Sequence, residues 1–306
     1  MIWARKLHIV LTGGTGFIGS QLQQFLVSSG HTVTVYARER QGKKANILRG
    51  CSSVEGSLTD LEKIQELTSQ CDLVIYCAGS VRGARPKDFF QANVAGLKTF
   101  GLALATSGGR LLLISSLAAE RPHLSDYANT KYLGEIVLKS VENLRWCILR
   151  PPAVYGASDT ELRPLFTLMS KGIALITGPK DQRLSLLHVD DLARAVCVVV
   201  MSPSAFKSRK LTLHDGKEGG YCWSEIVKAV RPRGLTVKIR LPQVLLIVFA
   251  KINMLLAATF GYLPMLSPGK VRELSEKAWV CDNTKISELC EWRPRVNLQQ
   301  GIRKTL

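Results

Sequence analysis

The stretch "KLHIVLTGGTGFIGSQLQQFLVSSG" (residues 6–30) decides the fold. Its first part is a continuous apolar run closed by glycines, the pattern of a strand buried on both faces of a parallel sheet. Its second part places Phe17, Leu22, Phe25 and Leu26 at helical spacing, with Gly30 as the stop. The join carries Gly13, Gly16 and Gly19. Gly13 permits the tight turn, Gly16 lets backbone approach a pyrophosphate, and Gly19 lets the helix pack closely on the strand. A helix N-terminus favours an anion through its free amides and dipole. The glycine pattern follows a strand and opens a helix, so it reads as a dinucleotide cradle, with Thr15, Phe17 and Ile18 as further candidate contacts.

Outward from this unit, strand and helix signals alternate. "HTVTVYAR" (31–38) is β-branched and apolar, a strand follows near 52–56, and a helix near 60–70. "DLVIYCAG" (72–79), a helix over about 87–106, "GRLLLISS" (109–116), a helix over about 126–142 and "RWCILRPP" (145–152) continue the pattern. Strands separated by helical crossovers imply a parallel sheet with helices on both faces. The expected architecture is α/β, a Rossmann-type doubly wound parallel sheet with a smaller C-terminal substrate lobe. The division expected is a dinucleotide-binding domain at 1–156 and a lobe at 157–306 that shares elements with the main sheet.

The end of the second strand bears on which dinucleotide binds. NAD-binding folds commonly place an acid there to hold the ribose hydroxyls. This chain has Arg38, with Arg40, Lys43 and Lys44 behind it, and an arginine suits a 2′-phosphate. The expected cofactor is NADP, with NAD as the alternative.

Composition sets the remaining bounds. Of 306 residues 46% are apolar and 21% charged, which fits a globular chain. The formal charge of +17 favours anionic partners. The basic residues are scattered without an aromatic-interleaved pattern, so nucleic acid is not expected as a partner. Eight cysteines form no CxxC pair and no Cys/His cluster at zinc spacing, so no metal site is expected and the thiols read as reduced, in a cytoplasmic protein. The N-terminal segment reads as a first strand and not as a signal peptide. "PQVLLIVFAKINMLLAATFGYLPML" (242–266) is nearly apolar, but Lys251 and Asn253 stand in its middle. It reads as a helix or helix pair packed on the lobe, or else as an apolar-substrate or membrane-surface element; a central lysine argues against a span.

"SDYANTKYLGE" (125–135) puts Tyr127 and Lys131 one helical turn apart, on one face. Together with "TGGTGFIG", "CAGS", "NVAG", "ISSLAAE", "LRPPAVYG", "LLHVDDLARA" and "WVCDNTKISELCEWRP", in that order, the chain resembles an extended or atypical short-chain dehydrogenase/reductase of the NAD-dependent epimerase/dehydratase family. The resemblance implies that Tyr127 is the acid/base exchanging a proton with the substrate oxygen while hydride moves. A free phenol titrates near pH 10, and a neighbouring ammonium and the cofactor's positive ring are expected to favour phenolate. It also implies Ser116 as the hydroxyl donor, with Ser115 as the alternative, and Lys131 on the nicotinamide ribose. Asn93 would buttress the site, Ala78 and Gly79 would line the cofactor, and Pro151 with Pro152 would lie near the nicotinamide. Ser57 and Leu58 stand where the family usually has an adenine-binding aspartate. The segment "RLSLLHVDD" (183–191), with His188, Asp190 and Asp191, reads as structural. Oxidoreduction of a secondary alcohol or ketone is expected, with a lipid or acyl-type molecule as the candidate substrate. The alternatives are a nucleotide-sugar epimerase or dehydratase, and a non-catalytic dinucleotide-binding subunit. A homodimer is a further expectation.

Overall fold

The computed structural model describes residues 5–38, 47–83 and 85–306; Arg40, Lys43 and Lys44 lie outside the described residues. The chain opens with β1 (His8–Thr12), α1 (Phe17–Ser28), β2 (Thr32–Ala37), β3 (Cys51–Glu55), α2 (Leu61–Ser69) and β4 (Leu73–Tyr76). It continues through α3 (Pro86–Phe90), α4 (Gly96–Ser107), β5 (Arg110–Ile114), α5 (Asp126–Lys139), β6 (Arg145–Arg150) and β7 (Ala153–Tyr155). Then come α6 (Arg163–Ser170), β8 (Ile173–Ile176), β9 (Arg183–Leu184), β10 (Leu186–His188), α7 (Val189–Val200) and β11 (Arg209–Thr212). The last elements are α8 (Trp223–Val230), β12 (Val237–Arg240), α9 (Gln243–Phe260), α10 (Pro268–Ser275), β13 (Ala278–Trp279), α11 (Thr284–Cys290) and α12 (Leu298–Thr305).

Seven strands form one parallel sheet in the order β3-β2-β1-β4-β5-β6-β11. Alternate residues of β1 serve opposite faces, as strand geometry requires. Ile9 and Leu11 join Leu22, Leu26, Val196 and Val199 beneath α1 and α7, while Val10 joins Phe100, Leu104 and Leu138 beneath α4 and α5. Both faces are covered, which is why β1 reads as unbroken apolar sequence. Phe100 presents its ring edge-on to Tyr36 and Tyr76 at 5.5 and 5.6 Å.

The helix expected over about 87–106 is two helices joined by a π-helical turn at Gln91–Ala95. Such turns interrupt the regular ladder and re-aim side chains, and this one carries Asn93.

The later part of the chain has its own apolar cluster, in which Tyr155, Phe166, Met169, Ile226, Val227 and Ile302 meet. It also returns to the main sheet, where β11 pairs with β6. Asp191 fastens the C-terminal segment there: its carboxylate accepts from the backbone amides of Arg295 and Val296 at 3.0 and 2.8 Å. Asp190 accepts from Gln21 Nε2 at 3.0 Å and Lys304 Nζ at 2.8 Å, tying α12 to α1.

The apolar segment at 242–266 differs from the packed helix expected. In α9 only Leu246, Ala250 and Ala257 are buried and Ile247 and Met254 half-buried, while Val244, Leu245, Val248, Phe249, Ile252, Leu255, Leu256 and Phe260 are exposed. Its inner face packs on α10 through Leu246, Ala250 and Val271.

Candidate active site

The strand order reverses between β1 and β4, so the loops leaving these strands diverge and leave a crevice at their C-terminal ends. The glycine loop lines it. Gly13 has φ 68°, and a side chain there would stand 2.7 Å from the backbone of Cys77 and Ala78. The Ala78 amide donates to Thr12 Oγ1 at 3.0 Å, fixing the ends of β1 and β4 side by side. Gly16 caps α1 without a side-chain hydrogen bond, so the first turn's amides remain open to an anion. A side chain at Gly19 would run into the Gly13 carbonyl. A cradle that any Cβ would fill, at the start of a twelve-residue helix, fits a dinucleotide pyrophosphate. Thr15 is exposed on this loop, Phe17 packs near Gly156, and Ile18 backs onto the core.

Arg38 is exposed at the end of β2. Nearby, the Gly56 amide donates to Ala37 O at 3.0 Å and the Tyr36 hydroxyl donates to Ser57 O at 2.8 Å. Leu58 packs into the core beneath Gly96, whereas Ser57 stays exposed and shares a hydrogen bond with Thr59.

On the other side of the crevice, α5 presents Tyr127 and Lys131. Ser125 caps the helix, its hydroxyl accepting from the Ala128 amide at 2.9 Å. Lys131 is 8% exposed and donates from Nζ to Ile114 O at 3.2 Å. A Cβ on Gly79 would stand 3.1 Å from that ammonium and 2.9 Å from Asn93 Oδ1, so a side chain there would push both side chains from their places. Asn93 donates from Nδ2 to Thr130 Oγ1 at 3.0 Å, and its Oδ1 accepts from the Ser80 amide at 3.2 Å. Pro151 is buried, and its carbonyl accepts from the Leu117 amide at 2.9 Å.

The two serines differ. Ser115 is buried and donates to Glu135 Oε1 at 2.6 Å. Ser116 accepts from the Ala118 amide at 3.2 Å and hydrogen-bonds the Tyr127 phenol. Burial pushes that phenol up to about 12; the Ser116 hydrogen bond works against this, while Glu273, Glu161 and Cys77 add to it. Burial likewise lowers the Lys131 ammonium, offset in part by Cys77 and Glu135. The protein alone therefore holds a protonated phenol: desolvation leads, and Lys131 is not among the groups that move it.

Sequence reasoning missed three supports. Glu135, fully buried, takes two hydrogen bonds from Arg150, Nε at 2.8 Å and Nη2 at 2.7 Å. Its place one turn beyond Lys131 on α5 was the available signal. Arg82 donates from Nε to Glu161 at 2.8 Å, linking the loop after β4 to the lobe. Glu273 of α10 accepts from Ser125, the cap of α5, across 148 positions of sequence, a separation with no sequence signal.

The NAD dependent epimerase/dehydratase family matches residues 9–211. Ceramide reductase of Caulobacter vibrioides is 28% identical over 282 residues, which cover 92% of this chain and 88% of that protein. The decarboxylating sterol-4-alpha-carboxylate 3-dehydrogenase of Dictyostelium discoideum is 22% identical, across 63% of this chain and 67% of its own length. The solved UDP-glucose 4-epimerase of Thermotoga maritima superposes with a TM-score of 0.72 at 20% identity, covering 98% of this chain and 97% of that one, and so shares the fold.

Proposed function

This chain belongs to the NAD-dependent epimerase/dehydratase family and is an enzyme of the extended short-chain dehydrogenase/reductase type, and from that premise we propose that it reduces a ketone in a ceramide-class lipid. The cofactor class is a nicotinamide dinucleotide, and we assign NADP over NAD because Arg38 stands exposed where a 2′-phosphate would lie. The observation that carries the reading is the pairing of Tyr127 with Ser116 at the end of β5, opposite the glycine cradle. The lipid class is supported by likeness to a ceramide reductase along nearly the whole chain.

When bound, the dinucleotide supplies hydride to the carbonyl carbon. Ser116 holds the carbonyl oxygen by hydrogen bond, and Tyr127 delivers its proton to that oxygen as negative charge develops. A phenol kept protonated by burial suits this direction, since it donates at neutral pH without prior titration. Lys131, held by Ile114 O beside Gly79, would grip the ribose hydroxyls. Asn93 braces α5 through Thr130, and the Glu135–Arg150 pair fixes Ser115, the neighbour of Ser116.

The exposed apolar face of α9 supports work at a membrane surface, and eight free cysteines support the cytoplasmic side. Leu102 of α4 with Tyr132 and Ile136 of α5, all exposed, support pairing of two copies. The test is NADPH consumption by purified protein with an N-acylated long-chain amino ketone in detergent micelles. Turnover to the secondary alcohol is expected; inertness toward this ketone, with conversion of a UDP-sugar, would move the protein to the epimerase class.

A further inference from the structure

Fourteen of the twenty-three exposed large apolar residues among those described fall between Leu235 and Met265, so the apolar exposure is concentrated in one region. Val244, Leu255 and Phe260 are 74%, 68% and 77% exposed, and only 17% of α9 is buried inside the molecule. Monomeric soluble proteins seldom leave so large a contiguous apolar patch uncovered.

The charge of the same segment is one-sided. Between Glu225 and Glu273 the sequence contains no acidic residue and eight basic ones. Arg233, Lys238 and Arg240 are exposed beside the helix, and Lys251 is exposed on it.

Both ends of α9 are held by the body of the protein. Before it, β12 pairs with β8. After it, the chain folds back: Tyr262 donates to Asn253 Oδ1 at 2.7 Å, and Asn253 Nδ2 donates to Leu266 O at 2.9 Å. The chain then enters α10, which stands on the catalytic helix. Arg272 Nε donates to Leu124 O at 2.7 Å, Glu273 accepts from Ser125, and Gly269 fits against Ser125 so closely that a Cβ would lie 2.8 Å from it. A helix returned to the body at both ends cannot cross a bilayer, but it can lie flat in its surface.

Building on the ceramide-class reading above, we propose that α9, with its basic flank, lies in the plane of an anionic bilayer and holds the mouth of the site, through α10, against the lipid from which the substrate comes. The apolar face sinks into the headgroup boundary, and Arg233, Lys238, Arg240 and Lys251 meet the anionic headgroups. Charge complementarity selects this occupant: an acid-free, basic segment that carries an apolar face suits anionic lipid.

The test is sedimentation of the full chain with vesicles of phosphatidylcholine alone and of phosphatidylcholine mixed with phosphatidylglycerol. Binding is expected to be at least about tenfold stronger to the anionic vesicles and to weaken with salt. Each of Arg233→Gln and Lys238→Gln is expected to weaken it about fivefold. The double variant Val248→Asp/Leu255→Asp, at positions exposed in the fold, is expected to abolish it while the melting temperature holds. Equal binding to both vesicle types, or full binding by the double variant, would overturn the proposal. Resistance to alkaline extraction would overturn it in favour of a span. Failure to bind vesicles, with a dimer that the double variant converts to monomer, would overturn it in favour of a face between copies. Vesicle binding needs no ketone turnover, so its loss in a protein that still reduces the ketone in micelles sinks the docking alone. Binding without turnover sinks the reductase reading alone.

Discussion

Two helices of this protein invert the usual relation between composition and burial. α5, "DYANTKYLGEIVLK", hides Lys131 and Glu135 in the interior, while α9, "QVLLIVFAKINMLLAATF", turns most of its aliphatic side chains outward. A buried charge is costly unless paired, and an exposed apolar face is costly unless covered. Each exception points to a partner the helix is built to meet. For α5 the partner is internal: Arg150 for Glu135, and the cofactor crevice for Lys131 and Tyr127. For α9 the proposed partner is external, a lipid surface. α10 touches both helices, through Val271 on one side and Ser125 on the other.

The contrast can be broken from either side. The largest effect is expected from Tyr127→Phe, which keeps the ring and removes the proton. Ketone reduction should fall roughly a hundredfold to ten-thousandfold with NADPH affinity unchanged, read by steady-state kinetics and fluorescence titration. Loss of NADPH binding would instead make Tyr127 part of the scaffold. Glu135→Ala leaves Arg150 with Glu120 alone and the buried Ser115 hydroxyl without its acceptor, and chemical denaturation should show a loss of about 3 kcal/mol, the low end for a broken buried pair. The matching change on the other helix, Leu255→Ser, should stay within about 0.5 kcal/mol in the same assay, since that side chain is mostly exposed. Similar losses at the two sites would erase the distinction between them.

Smaller effects sharpen the site itself. Arg38→Ala should raise the KM for NADPH about tenfold and leave NADH use nearly unchanged, because only the 2′-phosphate loses its charged hydrogen-bonding partner. With pH the two directions should part. The phenol's raised pKa keeps its protonated form from neutrality into the alkaline range, so reduction should hold steady there and decline only as the phenol ionises. Oxidation of the product alcohol needs the phenolate and should climb with pH. A reduction rate that rises with pH would assign the proton to another group.

The crevice was legible in the sequence because its parts are local. A strand, a glycine turn and a helix follow one another within residues 8–28, and Tyr127 and Lys131 share one turn of α5. Alternation of Ile9, Val10 and Leu11 between two cores requires sheets covered on both sides, which an unbroken apolar run announces. The exposure of α9 was not legible, because apolar sequence reads the same whether it is packed or left bare. Nor was Glu273 legible, since its link to Ser125 closes through the tertiary fold. The balance at Tyr127 also depends on burial, which spacing alone does not report; a lysine one turn away suggests phenolate, whereas desolvation favours the phenol.

The most direct test of the account is to follow the hydride. NADPH carrying deuterium at the transferred position is incubated with the full-length protein and a ceramide-class ketone in micelles, and the product is analysed by mass spectrometry. The account predicts deuterium on the carbon that bears the new hydroxyl, at a rate that collapses in Tyr127→Phe. Label remaining entirely on the dinucleotide while the protein epimerises a nucleotide sugar would contradict it.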